Sequence, residues 1–142
     1  AREANIEGAL AKGLAAPKLI AVTILTSFDQ DGLAKVGFGG AVEDNVKRLA
    51  ALTNEAGLDG VVCSSKEIGF IREAVENQEF LTVCPGIRTL WAAKGDQKRI
   101  MTPSQALEAG VNHIVVGRPI TKAEKPVEAV KKILEEMNIT ED

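Results

Sequence analysis

Short runs of aliphatic and β-branched residues alternate with helix-patterned segments along the whole chain, and no tight-turn signal joins two strand-like runs directly. A chain without hairpins cannot build an antiparallel meander. Its strands must pair in parallel, each reached through a crossover long enough to hold a helix. The strand-like runs are residues 18–25, 59–63, 80–84 and 113–116. The first, entered after Pro17, is apolar at nearly every position and predicts a strand buried on both faces.

The helical segments are set by their own punctuation. The opening Ala1-Arg2-Glu3-Ala4-Asn5-Ile6-Glu7 is already helix-forming. Residues 41–56 carry Val42, Val46, Leu49, Ala50 and Leu52 at helical spacing and stop at Gly57. Residues 66–77 place Ile68, Ile71, Ala74 and Val75 on one face. Thr102 and Pro103 open a short helix, as N-cap and first-turn residue, which Gly110 closes. Residues 126–137 form the last helix. The stretch 86–101 is long for a connection and invites a functional reading. A weak repeat runs through the chain, with Ala56-Gly57-Leu58-Asp59-Gly60-Val61-Val62 echoed by Ala109-Gly110-Val111-Asn112-His113-Ile114-Val115. Any α/β fold needs that punctuation, and a repeating βα barrel explains it as well.

Composition closes off several functions. A net charge of −3, from 17 Lys+Arg against 20 Asp+Glu, argues against a basic nucleic-acid surface. No apolar run approaches the roughly 18 residues that a membrane span requires. Two cysteines and one histidine cannot build a four-ligand zinc site of the common kinds. At 142 residues the chain is one domain or less. The expectation is a cytoplasmic, metal-free α/β protein.

In βα barrels the active face is built by strand C-terminal ends and the loops that follow them, with a phosphate site after the last strands. Two strand ends here fit. One runs into Val116-Gly117-Arg118-Pro119, where Gly117 admits an anion close to the backbone and Arg118 offers a charged fork of donors. The other ends Cys84-Pro85-Gly86-Ile87-Arg88, and the loop between them adds Asp96-Gln97-Lys98-Arg99. Together they can converge on one phosphate dianion. Thr26 and Ser27 at the first strand end either contact a ligand or simply turn the chain. Cys63 and Cys84 read as small apolar packing groups. His113 starts a strand and so sits at the stability end of a barrel. Trp91 reads as exposed, Lys98-Arg99 equally as a solvated rim, and the acidic tail as a solvated helix face.

Leu19-Ile20-Ala21-Val22-Thr23-Ile24-Leu25-Thr26-Ser27, Ala56-Gly57-Leu58-Asp59-Gly60-Val61-Val62-Cys63-Ser64, Pro85-Gly86-Ile87-Arg88, Gly95-Asp96-Gln97-Lys98-Arg99 and Gly117-Arg118-Pro119-Ile120-Thr121 resemble the bacterial orotidine 5′-phosphate decarboxylase family, in family order and spacing. The resemblance implies an α/β fold that is the C-terminal half of a (β/α)8 TIM barrel, parallel strands with outer helices. Residues 1–142 would be the C-terminal part of a single barrel domain, with strands one to four outside this chain. It implies substrate-binding roles for Thr26, Ser27, Arg88, Gln97, Gly117 and Arg118. It implies no metal and no organic cofactor, a small-molecule nucleotide substrate (orotidine 5′-monophosphate), no nucleic acid or membrane partner, and a homodimer.

The family's catalytic Asp-x-Lys-x-x-Asp run does not occur in this sequence. Asp96-Gln97-Lys98 is the nearest match, but Met101 stands where the second Asp belongs. No catalytic residue is therefore assigned here, and the 142 residues alone are expected to be inactive. Cys84 and Asn45 also depart from the common family residues, Thr and His, at positions without a carried role. The alternatives are an inactive phosphate-binding half-barrel and a related sugar-phosphate decarboxylase. A half-barrel would leave one sheet face uncovered, with Ile20, Val22, Val61, Leu81 and Val115 on it, so the isolated chain is expected to self-associate or to need the missing strands.

Overall fold

The computed structural model describes residues 2–89, 91 and 101–138. In chain order it contains α1 (Arg2–Leu10), β1 (Ile20–Val22), α2 (Gln30–Lys35), α3 (Val42–Glu55) and β2 (Gly60–Val62). A 3-10 turn (Ser65–Glu67) then leads into α4 (Ile68–Ala74), followed by β3 (Leu81–Cys84), α5 (Pro103–Glu108), β4 (His113–Ile114), α6 (Arg118–Thr121) and α7 (Pro126–Glu136). The four strands form one sheet in the order β1-β2-β3-β4, every pair parallel. The helical start, the four strand–helix units and, among the described residues, the absence of hairpins follow the sequence pattern. The two short helices α2 and α6 do not. Six and four residues are too few to show a 3.6-residue period, and α2 is announced only by Asp29, whose Oδ1 accepts the Gly32 amide at 2.9 Å.

Register assigns the faces. Ile20 pairs with Gly60 and Gly60 with Leu81, while Val62 pairs with Val83 and Val83 with His113. Lateral partners share a face, and successive residues alternate. One face therefore carries Ala21, Val61, Thr82 and Cys84, and α2, α3 and α4 cover it. Leu33, Val46, Ala50, Val61, Cys63, Ile68, Ile71, Val75, Phe80 and Cys84 make a continuous buried core there. The other face carries Ile20, Val22, Val62, Leu81, Val83 and Val115, and Val22 and Val115 are about half exposed, at 54% and 48%.

Two expectations fail on this point. The first strand is not buried on both faces, because helices cover only one. Val61 does not belong to the uncovered face. It points into the helix-covered core at 0% exposure, and Val62 takes the outward position. On α3, Leu52 falls outside the apolar stripe and is half exposed, while Thr53 is buried, its hydroxyl satisfied by the Leu49 carbonyl at 2.7 Å.

The echoed segments are matching helix stops. Gly57 and Gly110 both adopt left-handed backbone, at φ 72° and 79°, and turn the chain from a helix end into the next strand. Thr102 caps α5 as its position predicts. Its hydroxyl accepts the Gln105 amide at 3.2 Å, and the Gln105 side chain accepts the Thr102 amide at 3.0 Å.

Gly60 serves a different need. A Cβ there would lie 2.2 Å from the Leu81 carbonyl oxygen, a backbone atom of the neighbouring strand. Gly60→Ala is expected to lower stability by about 1–3 kcal/mol, although alanine is otherwise the better strand residue. Thermal melting of variant and parent measures this.

Asp59 fastens the N-terminal end of the sheet. Its amide donates to the Leu19 carbonyl at 2.7 Å, and its Oδ2 accepts the Leu19 amide at 2.8 Å. Arg2 and Lys18 each approach Oδ1 at 3.5 Å, and Arg2 also donates to the Gly57 carbonyl. The Leu19 amide, then the two cations, hold this carboxyl below its ordinary 3.8 against the opposing effect of desolvation. A carboxylate with a depressed folded-state pKa contributes stability above its unfolded value and loses it as pH falls through the folded one. Asp59→Asn is thus expected to flatten the decline in stability below about pH 4, as read from melting temperature against pH.

Candidate functional site

Because all four strands are parallel, their C-terminal ends open at one end of the sheet. Hydrogen bonds continue past the strands there: Thr23 donates to the Val62 carbonyl, Cys63 to Val83, and Val115 to Cys84, at 2.9–3.1 Å. Four mouths thus stand side by side. They lead into residues 24–29, 64–67, 85–89 and 116–118, and every described sequence-predicted site residue lies in the first, third or fourth.

At the first mouth the Phe28 amide donates to the Leu25 carbonyl at 2.9 Å, which puts Thr26 and Ser27 at the corner of a turn. Thr26 is buried and Ser27 exposed. Turning the chain and facing the mouth are compatible roles for this pair.

The second mouth was missed in the sequence. Ser64 opens the 3-10 turn, and its amide donates to Glu67 Oε2 at 2.8 Å, one arm of a reciprocal capping box. Ser64, Ser65 and Glu67 are all buried. The signal was present, since Ser64-Ser65-Lys66-Glu67 has the Ser-x-x-Glu spacing of such a box. A carboxylate at 2% exposure is costly unless it is bonded, and the Ser64 amide supplies part of that compensation.

Arg88 follows the third strand and is buried at 7% exposure. Its amide donates to the Met101 carbonyl at 3.0 Å, and its Nη1 reaches the Ile87 carbonyl at 2.9 Å. Ile87 makes an isolated parallel bridge to Met101, which with the Arg88 amide ties the segment after β3 to the start of the α5 segment. Thr89 is also buried, and its Oγ1 has no hydrogen-bond partner among the described residues.

At the fourth mouth Gly117 stands as N-cap of α6 and Arg118 as its first residue. Arg118 is exposed. A Cβ at Gly117 would meet no non-neighbouring atom of the described residues within 4 Å, and its backbone stands at φ −101°, ψ −98°. An open backbone beside an arginine suits the approach of an anion. Gln97, with Asp96, Lys98 and Arg99, lies outside the described residues.

His113 begins β4, at the opposite end of the strand from Gly117. Trp91 is half exposed, with Lys132 Nζ 5.8 Å from its ring centroid. Among the described residues no cluster of His, Cys, Asp and Glu could hold a metal ion, and no helix is long and apolar enough to cross a membrane.

The geometry agrees with the proteins that this chain is similar to. The family model of orotidine 5′-phosphate decarboxylase / HUMPS matches residues 1–133. The orotidine 5′-phosphate decarboxylase of Rhodospirillum rubrum is 51% identical over 137 residues, 96% of this chain and 55% of its own length. That of Nitrosococcus oceani is 51% identical over 130 residues, 92% of this chain and 56% of its own. The crystal structure of the Lactobacillus acidophilus enzyme superposes with a TM-score of 0.73 at 38% identity, covering 93% of this chain and 55% of that one. The chain thus spans about half the length of the curated relatives it matches. The parallel four-stranded sheet corresponds to half of their barrel. With the sequence matched nearly from end to end and the fold matched over the same span, this chain belongs to the orotidine 5′-phosphate decarboxylase / HUMPS family.

Proposed function

We propose that this chain supplies the phosphate- and substrate-gripping half of an orotidine 5′-phosphate decarboxylase, which converts orotidine 5′-monophosphate to uridine 5′-monophosphate and CO2 in pyrimidine biosynthesis. The observation that carries the reading is the placement of Arg88 and Gly117-Arg118 at neighbouring mouths of one parallel sheet. Arg88 and Arg118 grip the phosphate dianion by charge-assisted hydrogen bonds, and Gly117 lets the anion approach the backbone. Thr26 and Ser27 stand on the pyrimidine side, and Gln97 closes over phosphate and base.

The chemical step belongs to the Asp/Lys network of the family, which this sequence does not contain. As the bond between C6 and the carboxylate breaks, CO2 leaves and the electron pair remains on C6. Fixed charges disfavour the bound carboxylate and stabilise the developing carbanion, and a Lys ammonium then delivers the proton to C6. No metal or organic cofactor takes part in this reading. Phosphate binding is remote from C6, so its free energy is available for closing the site and ordering those charges. The complete enzyme acts as a cytoplasmic homodimer, a reading supported by the family resemblance.

Binding of uridine 5′-monophosphate, with uridine as the comparison, tests the grip. In the complete enzyme Arg118→Ala is expected to weaken nucleotide binding by about 1.5–3 kcal/mol, roughly ten- to a hundredfold, and to leave uridine binding unchanged. Equal losses for both ligands would remove Arg118 from the phosphate site. The 142-residue polypeptide by itself is expected to release no CO2 from orotidine 5′-monophosphate. Turnover by material free of host enzyme would overturn the assignment of the chemistry to residues outside it.

A further inference from the structure

Cys63 and Cys84 sit where the second and third mouths leave the sheet, and neither has a part in the phosphate grip. Cys63 directly follows β2 and Cys84 ends β3. Extending the register that pairs Val62 with Val83 makes the two cysteines lateral partners, and the Cys63 amide donates to the Val83 carbonyl at 3.1 Å. Both side chains point to the helix-covered face, and their sulfurs are 3.6 Å apart, already in contact. Neighbouring strands lie about 4.8 Å apart, within the roughly 4.4–6.8 Å Cα separation that a disulfide spans. Both thiols are free, and these are the chain's two cysteines.

We propose that Cys63 and Cys84 form a two-electron thiol/disulfide couple that staples β2 to β3 when the protein meets a small diffusible peroxide. In the first step one sulfur takes an oxygen from the peroxide as the O–O bond breaks, giving a sulfenic acid and one water. In the second the neighbouring thiol attacks that sulfur, the S–O bond breaks, and a second water leaves as the S–S bond forms. Two thiols and one hydrogen peroxide thus become one disulfide and two waters. The peroxide accepts both electrons, and the two thiol protons end in water.

The environment makes the two steps unequal. Contact with Cys84, and then burial, push the Cys63 thiol well above its ordinary range. The nucleophilic thiolate is therefore scarce, and the first oxidation is slow and waits on access through a local opening. The second step needs no diffusion, because its partner is already in van der Waals contact. Sulfenic acid is consumed as it forms, and further oxidation to sulfinic acid is suppressed. The two cross-linked positions are the roots of the Ser64–Glu67 capping box and of the Pro85–Arg88 segment, so the staple fixes two adjacent mouths to each other.

The test treats the purified protein with hydrogen peroxide in native buffer, removes the excess, unfolds it, alkylates with iodoacetamide, and measures intact mass and mapped peptides. The expected product carries no intermolecular disulfide, leaves Cys63 and Cys84 unalkylated and is lighter by two hydrogens. It yields a Cys63–Cys84 cross-linked peptide, shows unchanged far-ultraviolet circular dichroism, and reverts with dithiothreitol. Cys84→Thr is expected to lose the cross-link and to accumulate more highly oxidised Cys63. Cys63→Ala provides the reciprocal control should the threonine variant fold poorly. The proposal is overturned if both cysteines remain fully alkylated after a dose that oxidises a buried-thiol reference protein. It is equally overturned if sulfinic acid builds up without cross-link, if only intermolecular disulfides appear, or if the cross-link forms only in urea.

Discussion

The parallel hydrogen-bonded ladder is the constraint on which everything else in this chain depends. Each crossover must return the chain to the same end of the sheet before the next strand can begin, and that requirement alone collects every strand C-terminus at one end. Ladder contact between β2 and β3 is in turn possible because Gly60 has no Cβ to strike the Leu81 carbonyl. Asp59, one residue earlier, holds Leu19 by both amide and carboxylate and so fixes where β1 meets β2. Two adjacent residues of the sequence thus determine how three strands come together. The mouths, which begin four or five residues further along each segment, inherit that alignment.

The larger features of this arrangement were legible in the sequence because they are periodic or punctuated. Alternating strand and helix patterns gave the parallel sheet, Gly57 and Gly110 gave the helix stops, and Thr102-Pro103 gave the start of α5. What escaped has a physical reason in each case. Helices α2 and α6 are too short for periodicity to register. Val61 was placed on the wrong face because a run of apolar residues with no polar alternation does not reveal its phase, and only lateral pairing resolves it. Both-face burial of the first strand was inferred from composition, but a face is buried only when something covers it.

The site residues divide in the same way. Gly-Arg pairs at strand ends are visible in sequence because glycine and arginine are conspicuous there and strand ends can be located. Thr26 and Ser27 left two readings open, and the turn at residues 25–28 satisfies the local one without removing the other. The Ser64–Glu67 box was passed over because a capping box is ordinarily a surface feature of helix starts. Its burial follows from tertiary placement, at the mouth where β2 leaves the sheet.

The two arginines differ in a way that bears on how each would act on a phosphate. Arg88 is already desolvated and partly ordered: it is 7% exposed, its amide is tied to Met101, and its guanidinium is bonded to the Ile87 carbonyl. The cost of taking its charge out of water is met during folding, so little of it recurs when an anion arrives. Arg118 is exposed on a four-residue helix, and its charge is screened by solvent in the free protein. Its attraction to an anion strengthens only as water is excluded around both partners. A phosphate bound as proposed would therefore meet one pre-arranged donor and one whose contribution grows with closure. On the proposed function that inequality would be the physical basis for coupling remote phosphate binding to the closing of the site, with Arg88 setting the position and Arg118 supplying the part that depends on closure.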